Sequence, residues 1–153
     1  MLVEKVKKVE QIWKNEGLKI AEPLSENNVV ESFANLSILL SQEIIDVYSN
    51  LGGMIDEDMD SVCFSFWTVE RILTENKPNS ELTFFADFLI NSHWFGFKFE
   101  NESVSSIHIY WQENQIEKIA DSFDEFLATY TTNPGKYYML DREKTDEIIE
   151  TKR

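Results

Sequence analysis

Apolar residues recur at helical spacing in the first part of the chain. The first stripe consists of Leu2, Val6, Val9 and Trp13. Side chains three or four positions apart share one face of a helix, so this stripe predicts a helix over residues 2–16 that Gly17 ends. Two further short helices are expected after it, with Ser25 and Ser41 as their N-terminal caps.

Beyond the third helix the pattern changes to runs of β-favouring residues. The paired glycines Gly52 and Gly53 are expected to end that helix. The β-favouring runs span residues 62–66, 81–88, 93–99, 105–111 and 114–121. A short amphipathic helix, residues 67–77, is predicted between the first two runs, and Ser122 begins a last helix with a capping box.

This order of elements predicts an α+β fold. Consecutive strands joined by short loops indicate a mainly antiparallel sheet of about four to six strands. The N-terminal helices and one C-terminal helix are expected to pack on that sheet. The chain shows no linker or repeat, so residues 1–153 are expected to form one domain, with a charged tail or helix at 136–153.

The two central strands predict the register of their own hairpin. A two-residue turn would place Phe95 opposite His108, whereas a three-residue loop at 101–103 places Phe95 opposite Ile109. Because a buried face requires the apolar sets of both strands to coincide, we predict the three-residue loop. Such a loop leads us to expect a positive φ at Asn101 or a neighbour.

The other face of this hairpin carries Trp94, His108 and Tyr110. The face is mixed in character, so either a helix covers it or it is a docking surface. His93 falls on the opposite side, so the two histidines cannot share a site, and no acid holds a fixed position beside His108. Cys63 lies in an apolar strand, where a small buried thiol is the usual outcome. Catalysis by these residues is the weaker interpretation.

An acidic segment, MIDEDMDS, precedes the first strand. Its acids are Asp56, Glu57, Asp58 and Asp60. Alternating aspartates are typical of calcium loops, but Ser61 replaces the glycine and Trp67 the glutamate that such a loop requires. We therefore expect no metal and no cofactor. The segment is either a solvated loop or an acidic patch that contacts a basic protein.

The charge of the chain is strongly acidic and uneven. The net charge is −14, although the first 20 residues carry five lysines against three acids. Nucleic acid requires a basic footprint and is not an expected partner. No apolar run suggests a membrane segment or a secretory signal, and the single Cys63 permits no intrachain disulfide, so a cytoplasmic protein is expected. A basic protein would be attracted, but solubility alone also accounts for such a charge.

The order of motifs across residues 17–132 resembles the SUKH superfamily. The matching stretches are LSQEIIDVYSNLGGM, FSFWTVERIL, FFADF and IADSFDEFLATY, and the matching residues are Tyr48, Gly52, Gly53, Trp67, Glu70, Phe85, Phe123 and Phe126. That superfamily includes a fungal cell-wall regulator and many bacterial immunity proteins. The resemblance implies an α+β domain without catalytic residues, in which the motif residues are mostly core.

Three functional hypotheses follow from these observations. The resemblance and the charge favour a bacterial immunity protein that neutralises a cognate toxin, expected to be basic and nuclease-type, by direct binding. A regulatory or scaffold protein of the same fold, which binds a host partner, is the alternative. A hydrolase that uses His108 is a distant third.

Overall fold

The computed structural model describes residues 1–111 and 115–137, apart from the side chain of Glu57. The predicted tail lies outside the described residues from position 138 onward. The described part is a single α+β domain, as the sequence predicted, with an antiparallel sheet of five strands. The α-helices are α1 (Leu2–Asn15), α2 (Glu26–Ala34), α3 (Gln42–Tyr48), α4 (Val69–Glu75) and α5 (Phe123–Thr132), and a 3-10 helix spans Ile55–Glu57. The strands are β1 (Phe64–Phe66), β2 (Thr83–Phe88), β3 (His93–Phe99), β4 (Ser105–Trp111) and β5 (Gln115–Ala120), adjacent in that order.

Local capping chemistry sets several of the helix ends. Gly17 adopts a φ of 77° just after α1, as a left-handed C-terminal stop requires. The hydroxyls of Ser25 and Ser122 accept the amide hydrogen bonds that cap α2 and α5. Ser41 precedes α3 but does not cap it, because its hydroxyl lies 2.7 Å from that of Ser105.

The prediction that Gly52 and Gly53 end the third helix is wrong. Helix α3 ends at Tyr48, and the glycines follow in a segment without regular secondary structure. A Cβ on Gly52 would lie 1.8 Å from the carbonyl oxygen of Ala21. A Cβ on Gly53 would lie 2.5 Å from that of Trp67, and Gly53 also has a φ of 88°. Both glycines therefore allow two backbone segments to approach closely.

The predicted hairpin register is confirmed. Phe95 lies opposite Ile109, and the other pairs of β3 and β4 follow the same register. The expected positive φ is wrong, since no residue of the connecting loop has one. The side chain of Asn101 instead accepts hydrogen bonds from the amides of Ser103 and Val104, at 2.8 and 3.0 Å. This side chain closes the turn without left-handed backbone.

The core lies between one face of the sheet and the flanking helices. Phe85 packs against Phe123 and Phe126 of α5, and Trp13 of α1 packs against Phe66. Of the eight residues in the SUKH-like motifs, seven are buried and Glu70 is exposed. The seven buried positions therefore serve packing rather than a surface.

A buried carboxylate joins three elements of the fold. Glu43 of α3 is 7% exposed. One of its oxygens accepts hydrogen bonds from the amides of Ser105 and Phe123, at 3.0 and 2.8 Å, and the other accepts from Asp124 at 3.0 Å. Glu43 thereby satisfies amides at the start of both β4 and α5.

Candidate protein-binding surface

The acidic segment of residues 54–61 is called the acidic loop below. Most of its first half is exposed. The 3-10 turn Ile55–Glu57 carries Asp56 at a left-handed φ of 61°. The side chains of Asp56 and Asp58 are exposed to solvent. The side chain of Glu57 lies outside the described residues. Of the four acids predicted to contact a partner, Asp56 and Asp58 thus form an exposed acidic surface.

Asp60 is placed differently from the other acids of the loop, because it is buried and 7% exposed. One carboxylate oxygen accepts hydrogen bonds from the amides of Val62 and Phe64, both at 2.9 Å. The other accepts from the hydroxyl of Tyr130, which itself accepts a hydrogen bond from the Trp13 indole at 3.0 Å. Burial raises the pKa of the Asp60 carboxyl above its ordinary value. Asp60 therefore anchors the loop and is not part of its exposed surface.

The alternating aspartates do not converge on one point. Asp56 and Asp58 face solvent while Asp60 faces inward. Within residues 1–111 and 115–137, no group of three or more His, Cys, Asp or Glu side chains is placed to hold a metal ion.

The sheet surface opposite the core, which we call the outer face, carries a cluster of aromatic rings. Trp94 lies opposite Tyr110 in the β3–β4 pair. The ring of Phe84 lies 5.1 Å from that of Trp94 and 5.7 Å from that of Tyr110. All three rings are partly exposed, and Ile116, beside Tyr110 on β5, is 55% exposed. The structure has the predicted mixed face of the hairpin, and the side chains of the described residues do not bury it fully.

Phe84 reaches the outer face because β2 contains a bulge. The register of β2 against β3 shifts between Phe84 and Ala86, so Phe85 points into the core. The alternation of the sequence gave no sign of this shift. Gly96 makes room for the Leu82 side chain, since a Cβ there would lie 2.5 Å from it.

A buried polar group lies at the β1–β2 end of the outer face. Asp87 accepts hydrogen bonds from the Trp67 indole at 2.7 Å and from the Arg71 guanidinium at 3.3 Å. The guanidinium also stacks 4.4 Å from the centre of the Trp67 ring. Sequence reasoning missed this group, because Asp87 and Arg71 are 16 positions apart. The Trp67 indole and the Arg71 guanidinium compensate the buried charge of Asp87 within the molecule.

His108 lies beside a serine, but the geometry does not suit nucleophilic catalysis. The hydroxyl of Ser106 donates to the carboxylate of Glu100 at 2.7 Å and lies 2.9 Å from Nε2 of His108. Ser106 is fully buried, and burial is the main cause that lowers the pKa of His108. The other histidine, His93, packs beside Phe88 on the opposite side of the sheet, as the register predicted. The serine proton therefore points at a carboxylate, and solvent does not reach the hydroxyl.

A groove of about 800 Å³ lies between α4 and the segment that contains Gly52. The charged residues in its lining are Glu22, Asp56, Glu70, Arg71 and Glu75. Arg71 is already engaged with Asp87, so the groove is acidic in its unpaired charge. Asp56 belongs to both the groove and the acidic loop, and the two features form one acidic region.

No protein-family model matches the chain, and no curated protein matches it. No helix within the described part of the chain is long and apolar enough to cross a bilayer.

Proposed function

We propose that this chain is a non-catalytic protein-binding module, an immunity protein that neutralises a basic, nuclease-type toxin in the cytoplasm by direct binding. The observation that carries the proposal is the acidic loop, in which Asp56 and Asp58 are exposed while Asp60 is fixed in the interior. A loop held in this way presents its charges without the entropy cost of ordering them on binding. The net charge of −14 adds long-range attraction for a basic protein.

The serine–histidine pair supports binding over hydrolysis. A catalytic serine must reach a substrate and pass its proton to a base. Ser106 is fully buried and donates to Glu100, whose pKa this hydrogen bond lowers. A carboxylate with a lowered pKa is a weak base, so a hydrolase that uses His108 remains the least supported hypothesis.

The α+β architecture and the buried motif residues support membership of the SUKH superfamily as part of this proposal. The alternative is a regulatory or scaffold protein of the same fold that binds a host partner. The outer face favours that alternative in one respect, because Trp94 and Tyr110 offer aromatic contacts that do not depend on a basic partner.

The test uses the protein encoded immediately upstream of this chain. If the proposal is right, that protein is a toxin, its basic toxic domain arrests growth when expressed alone, and co-expression of this chain restores growth. Absence of toxicity, or toxicity that this chain does not relieve, would contradict the immunity function.

The role of the acidic loop is tested by association kinetics with the same toxic domain. We expect Asp56→Asn with Asp58→Asn to lower the on-rate about three- to tenfold at low salt, and the difference to vanish at high salt. Asparagine tolerates the left-handed backbone of position 56. The matched control neutralises two exposed acids of α2, Glu26→Gln with Glu31→Gln. Equal effects of the two variants would show that only total charge matters.

A further inference from the structure

The connection between β2 and β3 holds two apolar side chains in solvent on a left-handed backbone. The φ angles of Leu89, Ile90 and Asn91 are 49°, 51° and 66°. A positive φ at a β-branched residue such as Ile90 is a genuine outlier, whereas glycine or asparagine adopts it readily. Leu89 is 48% exposed and Ile90 is 76% exposed. We call these two side chains the apolar tip.

Hydrogen bonds hold the backbone of this connection in place. The amide of Leu89 donates to the carbonyl of Cys63 at 3.0 Å, and the amide of Asn91 donates to the carboxylate of Asp87 at 3.2 Å. The side chain of Asn91 accepts a hydrogen bond from the Trp94 indole at 3.1 Å. The strained conformation is therefore over-determined by its surroundings, and the apolar tip is pre-organised.

The apolar tip lies beside the acidic loop. Cys63, which accepts the hydrogen bond from Leu89, is two residues beyond the end of that loop. Within the same turn, the amide of Ser61 donates to the carboxylate of Glu16 at 2.9 Å. Glu16 and Asp58 are both exposed. The apolar tip is thus hydrogen-bonded to the turn that follows the acidic loop, and the exposed Glu16 binds the same turn.

We propose that the apolar tip is the hydrophobic anchor through which this chain binds a basic protein, an inference that rests on the proposed function. Ile90 and Leu89 enter an apolar pocket of the partner while the neighbouring acids face its basic residues. A rigid apolar anchor with charges around it is typical of the residues that dominate binding energy. A second copy of this chain is a poor occupant, because each copy carries a charge of −14.

The experiment measures the affinity of the purified toxic domain encoded immediately upstream for the full chain. We expect Ile90→Ala to raise the dissociation constant at least tenfold, chiefly through a faster off-rate, and Leu89→Ala with Ile90→Ala to raise it further. The matched control is Leu39→Ala, which truncates a side chain that is 69% exposed and belongs to the α2–α3 connection. That variant should stay within about twofold of wild type, because an exposed apolar side chain outside the interface contributes little.

A second variant separates binding from folding. Ile90→Gly relieves the backbone strain, so its urea midpoint should equal or exceed that of wild type while binding is still weakened. If both Ile90 variants bind as tightly as wild type, the apolar tip is not an anchor and the proposed function still stands. If the wild-type chain does not bind the toxic domain, the proposed function fails and the assignment of the tip fails with it.

Discussion

Gly53 and Gly17 both adopt a left-handed backbone, but only Gly53 has a neighbour where a Cβ would lie. We expect Gly53→Ala to lower the free energy of unfolding by about 2–4 kcal/mol, because the new methyl group would strain the backbone and push against the Trp67 carbonyl. Gly17→Ala meets open space and should cost only about 1 kcal/mol. Urea unfolding followed by tryptophan fluorescence measures both.

Equal losses in the two glycine variants would contradict this account. They would show that backbone strain alone sets the cost and that the close approach of Gly53 to Trp67 adds nothing. A Gly53→Ala variant as stable as wild type would mean that the Trp67 backbone moves away from the new methyl group at little energetic cost.

Which acid of the loop turns inward could not be predicted from the sequence. Asp56, Asp58 and Asp60 have the same side chain at equal spacing, and a loop has no periodicity that assigns its residues to a face. The direction of Asp60 depends on Tyr130, which is 70 positions away in the chain. The exposure of Asp56 and Asp58 agrees with the candidate surface, whereas Asp60 belongs to its support.

At the scale of elements, Glu43 links the start of α5 to α3 and β4. We expect Glu43→Ala to lower the free energy of unfolding by about 3–5 kcal/mol, because it leaves the amides of Ser105, Phe123 and Asp124 without their acceptor. Ser122→Ala removes the ordinary cap of the same helix and should cost about 1 kcal/mol. Chemical unfolding of both variants compares the two contributions.

Glu43→Gln refines this comparison. It keeps one acceptor oxygen but sets an amide group against one of the backbone donors, so its stability should fall between those of wild type and Glu43→Ala. A Glu43→Ala variant no less stable than Ser122→Ala would mean that water replaces the carboxylate at little cost.

The helices and the hairpin could be predicted because their signals are local or repeat along the chain. The coincidence of phenylalanines and isoleucines on one face determined the register of β3 and β4. The bulge at Phe85 and the left-handed turn at Ile90 could not be predicted, since nothing in the local sequence favours them. The sequence predicted that Trp94 and Tyr110 lie on the outer face. It did not predict the apolar tip beside that face.

At the scale of the whole molecule, two electrostatic effects oppose each other. Ion pairs between surface side chains include Lys5–Asp124, Lys14–Glu10, Lys98–Glu81 and Lys118–Asp121, with N···O distances between 2.6 and 3.1 Å. Exposed pairs of this kind stabilise a fold weakly, and salt weakens them further. The chain also carries 28 acids against 14 basic residues, and the excess charge repels itself most in the compact state.

The balance between these effects predicts how salt changes stability. Because the acids of the chain exceed its basic residues by 14, screening should remove more repulsion than attraction. We expect the free energy of unfolding to rise by on the order of 1 kcal/mol between about 0.02 and 0.5 M NaCl, where the screening length falls severalfold. Urea titrations at the two salt concentrations measure the change, and Glu26→Gln with Glu31→Gln should reduce it by removing two of the repelling charges. Stability that falls with salt would mean that the ion pairs outweigh the repulsion, and the acidic surface would then be matched to its own lysines rather than left available for a basic partner.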